Sequence, residues 1–173
     1  MAKFNTENID KFYDYNIHIE TRTIYMGKGK NGIDSYLAEK VIKGLHILEY
    51  KSEEPITIIM SNSGGEVESG FAIFDAIKSC KSHTTIIVYG NAYSMAGVVL
   101  QAANKRIMTE NSRIMLHYGD FHISMNSHDA YKWVDESKRI DKWMEDLFLG
   151  KMKQKHPNIT KKYMARKLKA AAK

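Results

Sequence analysis

Two strand-length runs, Ile56–Met60 and Thr84–Tyr89, each lead through a glycine-containing loop into a helical pattern, and this repetition constrains the fold more than any other feature. Runs of that length and composition suit strands buried on both faces of a sheet. Their alternation with helices points to an α/β layered architecture. His18–Met26 reads as a first strand, with Gly27–Gly32 as a turn-rich loop. Ser35–Tyr50 forms an amphipathic helix through Tyr36, Leu37, Val41, Leu45 and Leu48. A helix from Glu66 to about Cys80 is expected to turn Val67, Phe71, Phe74 and Ile77 inward, and Gly90 should end the second buried strand. Ser94–Ala103 suits an interior helix; Arg106–Met108 and Arg113–His117 read as short strands. Ser127, a plausible N-cap, opens a long helix to about Lys155, before Pro157. Its apolar residues occupy more than one face, and the surplus suggests a subunit interface.

The length of 173 residues and 43% hydrophobic content fit one domain over residues 1–173. Residues 1–16 carry no secretory pattern, and no apolar run is long enough to cross a bilayer, so no membrane association is expected. The single cysteine, Cys80, excludes an internal disulfide, fits a cytoplasmic location, and reads as a buried thiol. Nine of the 26 basic residues lie from Lys151 onward without an Asp or Glu; the remaining 17 face 20 acidic residues, a balance of −3. The basic excess therefore belongs to the tail, as a solvated helical face, and no nucleic-acid partner is expected.

Three segments could carry chemistry. Ser61-Asn62-Ser63-Gly64-Gly65 joins a strand to a helix; it is either a simple turn or a loop whose backbone amides face an anion. Gly90-Asn91-Ala92-Tyr93-Ser94-Met95-Ala96-Gly97 stands at a second such junction. Ser94 is either an N-cap or a nucleophile whose neighbouring amide, on Met95, joins one from the Gly64-Gly65 loop against an oxyanion. A serine hydroxyl needs a base. His117, at the end of Ile114-Met115-Leu116, is either that base or a structural histidine. Asp120, His122, His128 and Asp129 match no zinc or calcium spacing, so no metal is expected.

These segments resemble those of the ClpP proteolytic subunits, within the crotonase-like superfamily. Asn62-Ser63-Gly64-Gly65 is similar to the family's Asn-Ser-Pro-Gly-Gly loop, and Gly70-Phe71-Ala72-Ile73-Phe74-Asp75 to its following helix. Gly90 to Ala96 resembles its nucleophile segment, and Arg113-Ile114-Met115-Leu116-His117 its strand ending in the catalytic histidine. The resemblance runs from about His18 to the end of the long helix. It implies a layered fold of repeated ββα-type units with a protruding handle helix, at about residues 120–156, and an entrance segment at 1–17. It implies a serine endopeptidase with Ser94 as nucleophile, His117 as base, and Gly64 or Gly65 with Met95 as oxyanion donors. It further implies a homo-oligomer of stacked heptameric rings, fed with unfolded polypeptide by an AAA-plus Clp unfoldase. That partner uses ATP; this subunit needs no cofactor.

Three departures stand out. Ser63 replaces a proline and Tyr93 a small residue. The family's third triad member, an Asp beyond the handle helix, has no counterpart among Asp120, Asp129, Asp135, Asp141 and Asp146; it is expected beyond Lys173, in a chain truncated before it. A non-catalytic ring subunit is the main alternative, but such a subunit should have lost its motif residues, and both Ser94 and His117 are present. An acyl-CoA enzyme of the crotonase type has little use for a serine and histidine at these positions.

Overall fold

The computed structural model describes residues 14–27, 29, 31–119, 124 and 126–171. Most of the entrance segment, together with Asp120 and His122, lies outside the described residues. The chain forms two compact units, one up to Met115 and one from Leu116.

The first unit is built on a six-stranded sheet: β1 (Ile17–His18), β2 (Thr23–Met26), β3 (Ile56–Asn62), β4 (Thr84–Tyr93), β5 (Lys105–Met108) and β6 (Arg113–Met115). The order is β1-β2-β3-β4-β5. β5 and β6 share one edge of β4, pairing with Thr85–Val88 and Asn91–Tyr93 respectively. The β1–β2 pair is antiparallel and every other pairing is parallel. Parallel neighbours require crossovers. Helices α1 (Ser35–Lys51), α2 (Val67–Ser79) and α3 (Met95–Leu100) supply them. Asp34 caps α1 by accepting from the Leu37 amide at 2.9 Å.

The expected α/β layering is present, with local differences. The segment His18–Met26 is not one strand: a turn at residues 19–22 folds it into an antiparallel pair, with Asn16 and Arg22 in the left-handed region at φ 58° and 50°. β3 and the first part of β4 are buried on one face only. Ile56, Ile58, Met60, Ile86 and Val88 are buried, while Thr57, Ile59, Thr85 and Ile87 between them are half-exposed. Parallel register aligns Ile24, Ile58 and Ile86 in one row and Met26, Met60 and Val88 in the next. In α2 the buried positions are Ser69, Gly70, Ile73, Phe74 and Ile77, with Val67 and Phe71 half-buried. Gly90, at φ 81°, does not end β4; the strand kinks there and resumes. Leu116 and His117 lie beyond the end of β6, and Cys80 is half-buried.

Arg22 closes the sheet-to-helix junction. Its guanidinium donates to the carbonyls of Leu48 (2.9 Å), Ser52 (2.9 Å), Glu54 (2.8 Å) and Pro55 (3.3 Å). Leu48 lies in the last turn of α1, where a cation is favoured, and Ser52, Glu54 and Pro55 follow its end. Arg22→Ala should therefore lower unfolding free energy by about 2–3 kcal/mol, read as a shifted urea midpoint with unchanged m-value.

The second unit contains α4 (Ser127–Lys153) and α5 (Lys161–Ala171). Asn126, rather than Ser127, caps α4, accepting from the Asp129 amide at 3.0 Å. Of its apolar residues only Met144 and Phe148 are buried, while Tyr131 and Trp133 remain 73% and 47% exposed. α5 buries Met164 and Leu168, four residues apart on one face, and Lys161 pairs with Asp146 of α4 at 2.9 Å. Among the described residues no helix is long and apolar enough to cross a membrane.

Candidate active site

β4 ends by handing the chain to α3 through a single residue, Ser94, at φ 51° and ψ −125°. A non-glycine residue in this region costs about 1–3 kcal/mol and persists only where surrounding structure enforces it. Two features enforce it here. The Ser94 amide donates to the Met115 carbonyl at 2.8 Å, and β6 pairs with β4 up to Tyr93. The N-cap alternative is not realised, since the Ser94 side chain makes no capping bond to α3. Met95 is buried beneath α2. A Cβ at Gly70 would lie 2.3 Å from the Met95 Cγ, so the glycine of the α2 segment is what lets Met95 seat there.

The glycine loop lies directly against this turn. A Cβ on Gly64 would stand 2.7 Å from the Ser94 Cβ and 2.9 Å from the Met95 nitrogen. Gly64 and Gly65 have φ of 89° and 155°. The Gly64 carbonyl accepts from the Ile33 amide at 2.8 Å, and the Glu66 amide donates to the Ile33 carbonyl at 2.8 Å. A trans peptide directs its N–H opposite to its C=O. Fixing the Gly64 carbonyl toward Ile33 therefore turns the Gly65 N–H away from Ile33.

The two glycine amides are not equivalent. The Gly64 N–H is held by the Asn62 Oδ1 at 2.8 Å. The Gly65 and Met95 amides donate to no acceptor among the described residues. The structure thus brings Ser94, Met95, Gly64 and Gly65 into one cluster and leaves two backbone donors available in it.

Ser63 stands where the family resemblance expects proline. Its hydroxyl accepts from Asn91 Nδ2 at 3.0 Å, and the Ser61 hydroxyl donates to Asn91 Oδ1 at 3.3 Å. A polar tie between the glycine loop and β4 thus takes the place of proline stiffness. Sequence reading gave Asn62 no role beyond its place in the loop motif and did not single out Ile33. Gly32 read only as part of a turn, yet a Cβ there would meet the Gly64 carbonyl oxygen at 2.0 Å.

In the second unit, His117 is half-buried in the irregular segment before α4. Next to it in sequence, the Tyr118 hydroxyl donates to Glu145 of α4. Burial first, then that bond and the charges of Glu145 and Asp141, push the phenol well above its ordinary range. Burial, followed by repulsion from Glu145, raises the Asp141 carboxyl. His128 and Asp129 approach at 3.8 Å on the exposed start of α4. Among the described residues no three His, Cys, Asp or Glu side chains are placed to hold a metal ion.

Residues 6–172 match the protein family described as Clp protease. The chain is 35% identical over 111 residues to the ATP-dependent Clp protease proteolytic subunit of Carsonella ruddii (strain PV), covering 62% of this chain and 56% of that protein. It is 28% identical over 161 residues to the subunit of the same description from Deinococcus radiodurans, covering 91% of this chain and 75% of that protein. A solved structure of a ClpP1 mutant from Listeria monocytogenes superposes with a TM-score of 0.74 at 26% identity, over 87% of this chain and 81% of the other. With a family match across nearly the whole sequence and a shared fold, this chain belongs to the Clp protease family.

Proposed function

We propose that this chain is a serine endopeptidase, the proteolytic subunit of a self-compartmentalised Clp-type protease. The observation that carries the reading is the Ser94 turn. A serine is held in left-handed backbone geometry without acting as a cap, against a glycine loop, with the Gly65 and Met95 amides available beside it. Strained, non-capping serines at strand-to-helix turns are what an exposed nucleophile requires.

In this mechanism the Ser94 Oγ attacks the peptide carbonyl carbon while its proton passes to His117. The carbonyl oxygen becomes an oxyanion held by the Gly65 and Met95 amides. Collapse of the tetrahedral species breaks the C–N bond, and His117 gives its proton to the departing amine. Water, deprotonated by His117, then hydrolyses the acyl-serine ester and restores the hydroxyl. No cofactor or metal takes part, and no carboxylate is assigned here as the third triad member.

The remainder of the reading follows the family. The family's handle would correspond to residues of about 120–156 of one protease domain, of which 124 and 126–156 are described. Subunits assemble in stacked heptameric rings in the cytoplasm. An AAA-plus unfoldase consumes ATP and delivers unfolded chains. The exposed Tyr131 and Trp133 on α4 support a role for that helix in subunit contact.

Fluorogenic peptide turnover by the assembled protein tests the assignment of the base. His117→Ala should lower kcat by about a thousandfold or more with little change in KM. A variant retaining more than a tenth of wild-type kcat would remove His117 from the mechanism.

A further inference from the structure

The buried Asn62 holds both of its amide groups in backbone hydrogen bonds. It is fully buried at the end of β3, just past the register shift between Met60 and Asn62 in the β3–β4 pairing. Its Oδ1 accepts from the Gly64 N–H at 2.8 Å, and its Nδ2 donates to the Gly27 carbonyl at 2.7 Å. One partner is a backbone donor and the other a backbone acceptor, so the orientation of the amide is unambiguous.

We propose that Asn62 is a positioning residue for the oxyanion hole, fixing the Gly64-Gly65 loop to the β2–α1 connection so that the Gly65 N–H keeps its direction. The inference rests on the reading of Gly65 and Met95 as oxyanion donors.

The physical case begins with the glycines. Gly64 and Gly65 lack the steric restraint of a Cβ, so neighbouring groups must fix their peptide planes. The Gly64-Gly65 plane is held at its carbonyl by Ile33. The Ser63-Gly64 plane is held at its N–H by Asn62. With both planes pinned, the torsions of Gly64 are determined from each side. Removing Asn62 frees the Ser63-Gly64 plane, so the direction of the Gly65 N–H then rests on the Ile33 bond alone.

Only a primary amide of this length satisfies both partners. Aspartate keeps an acceptor for Gly64 but sets a carboxylate oxygen against the Gly27 carbonyl. Leucine, close in shape, leaves the buried Gly64 amide and the half-buried Gly27 carbonyl without these bonds. Because the Ile33 bond survives either change, the effect should be smaller than loss of an oxyanion donor outright.

The test compares wild type, Asn62→Leu and Asn62→Asp in the assembled protein. The end point of fluorophosphonate labelling counts competent sites, so kcat is expressed per labelled site. A peptide aldehyde, whose hemiacetal oxygen occupies the hole, is compared with a product peptide, which does not need it. Asn62→Leu should lower per-site kcat by about tenfold to a hundredfold, with KM and product affinity within about threefold. Aldehyde affinity should fall in parallel with kcat, and Asn62→Asp should fall between leucine and wild type.

Per-site kcat within about threefold of wild type in Asn62→Leu would overturn the proposal, as would a loss accounted for by fewer labelled sites. If the leucine variant does not assemble, Asn62→Asp decides: unchanged kcat and aldehyde affinity overturn the proposal. Wild type that does not react at Ser94 overturns the catalytic reading with it. An active wild type with indifferent Asn62 variants overturns this inference alone.

Discussion

Ser94→Ala is expected to abolish peptide hydrolysis, lowering kcat by about ten-thousandfold or more while the protein still assembles. Alanine at position 94 supplies neither nucleophile nor proton. The backbone that holds the site remains: the residue 94 amide still reaches the Met115 carbonyl, and β6 still pairs with β4. Since the serine side chain makes no capping bond to α3, melting should shift by no more than about 1 kcal/mol equivalent. Turnover and thermal unfolding measured on the same preparation separate the two effects. A variant that retains a hundredth of wild-type turnover would contradict the nucleophile assignment.

Gly64→Ala is expected to cost both stability and activity. Its Cβ would meet the Ser94 Cβ at 2.7 Å and the Tyr93 carbonyl oxygen at 2.7 Å, at a φ of 89° that side chains avoid. Neither neighbour can yield easily, since the first is the Cβ of the positive-φ Ser94 turn and the second is its main chain. The glycine loop must therefore retreat and carry the Gly65 amide out of position. The expected losses are about a hundredfold or more in kcat and about 2–4 kcal/mol of stability. Turnover per labelled site, together with a urea titration, checks both. Wild-type kcat in a stably folded variant would mean that the loop does not define the oxyanion site.

How much of this was legible beforehand follows from range. Ser94, Met95 and the Gly64-Gly65 pair were found from short motifs whose residue types must be local to act, and their clustering in the first unit follows the expected strand-to-helix junctions. Asn62 was not singled out, because what matters is its partner Gly27, 35 residues earlier. Gly32 and Ile33 escaped for the same reason: both act on the Gly64 carbonyl across the fold. The first strand was read as continuous because alternating Ile, Thr and Tyr favours extension; the left-handed Arg22, stabilised by four distant carbonyls, overrides that preference. The buried face of α5 was hidden by its charge. Its lysines read as a solvated tail, while Met164 and Leu168, only two residues, provide the buried face.

An activated serine at position 94 underlies the proposed hydrolysis. It is tested most directly by incubating the assembled protein with a fluorescent fluorophosphonate beside Ser94→Ala and His117→Ala, and mapping the label by peptide mass spectrometry. One labelled residue is expected, Ser94, with labelling absent in Ser94→Ala and slowed at least about a hundredfold in His117→Ala. Label on another residue, or none on an assembled wild-type protein, would contradict it and leave the non-catalytic ring subunit as the better reading.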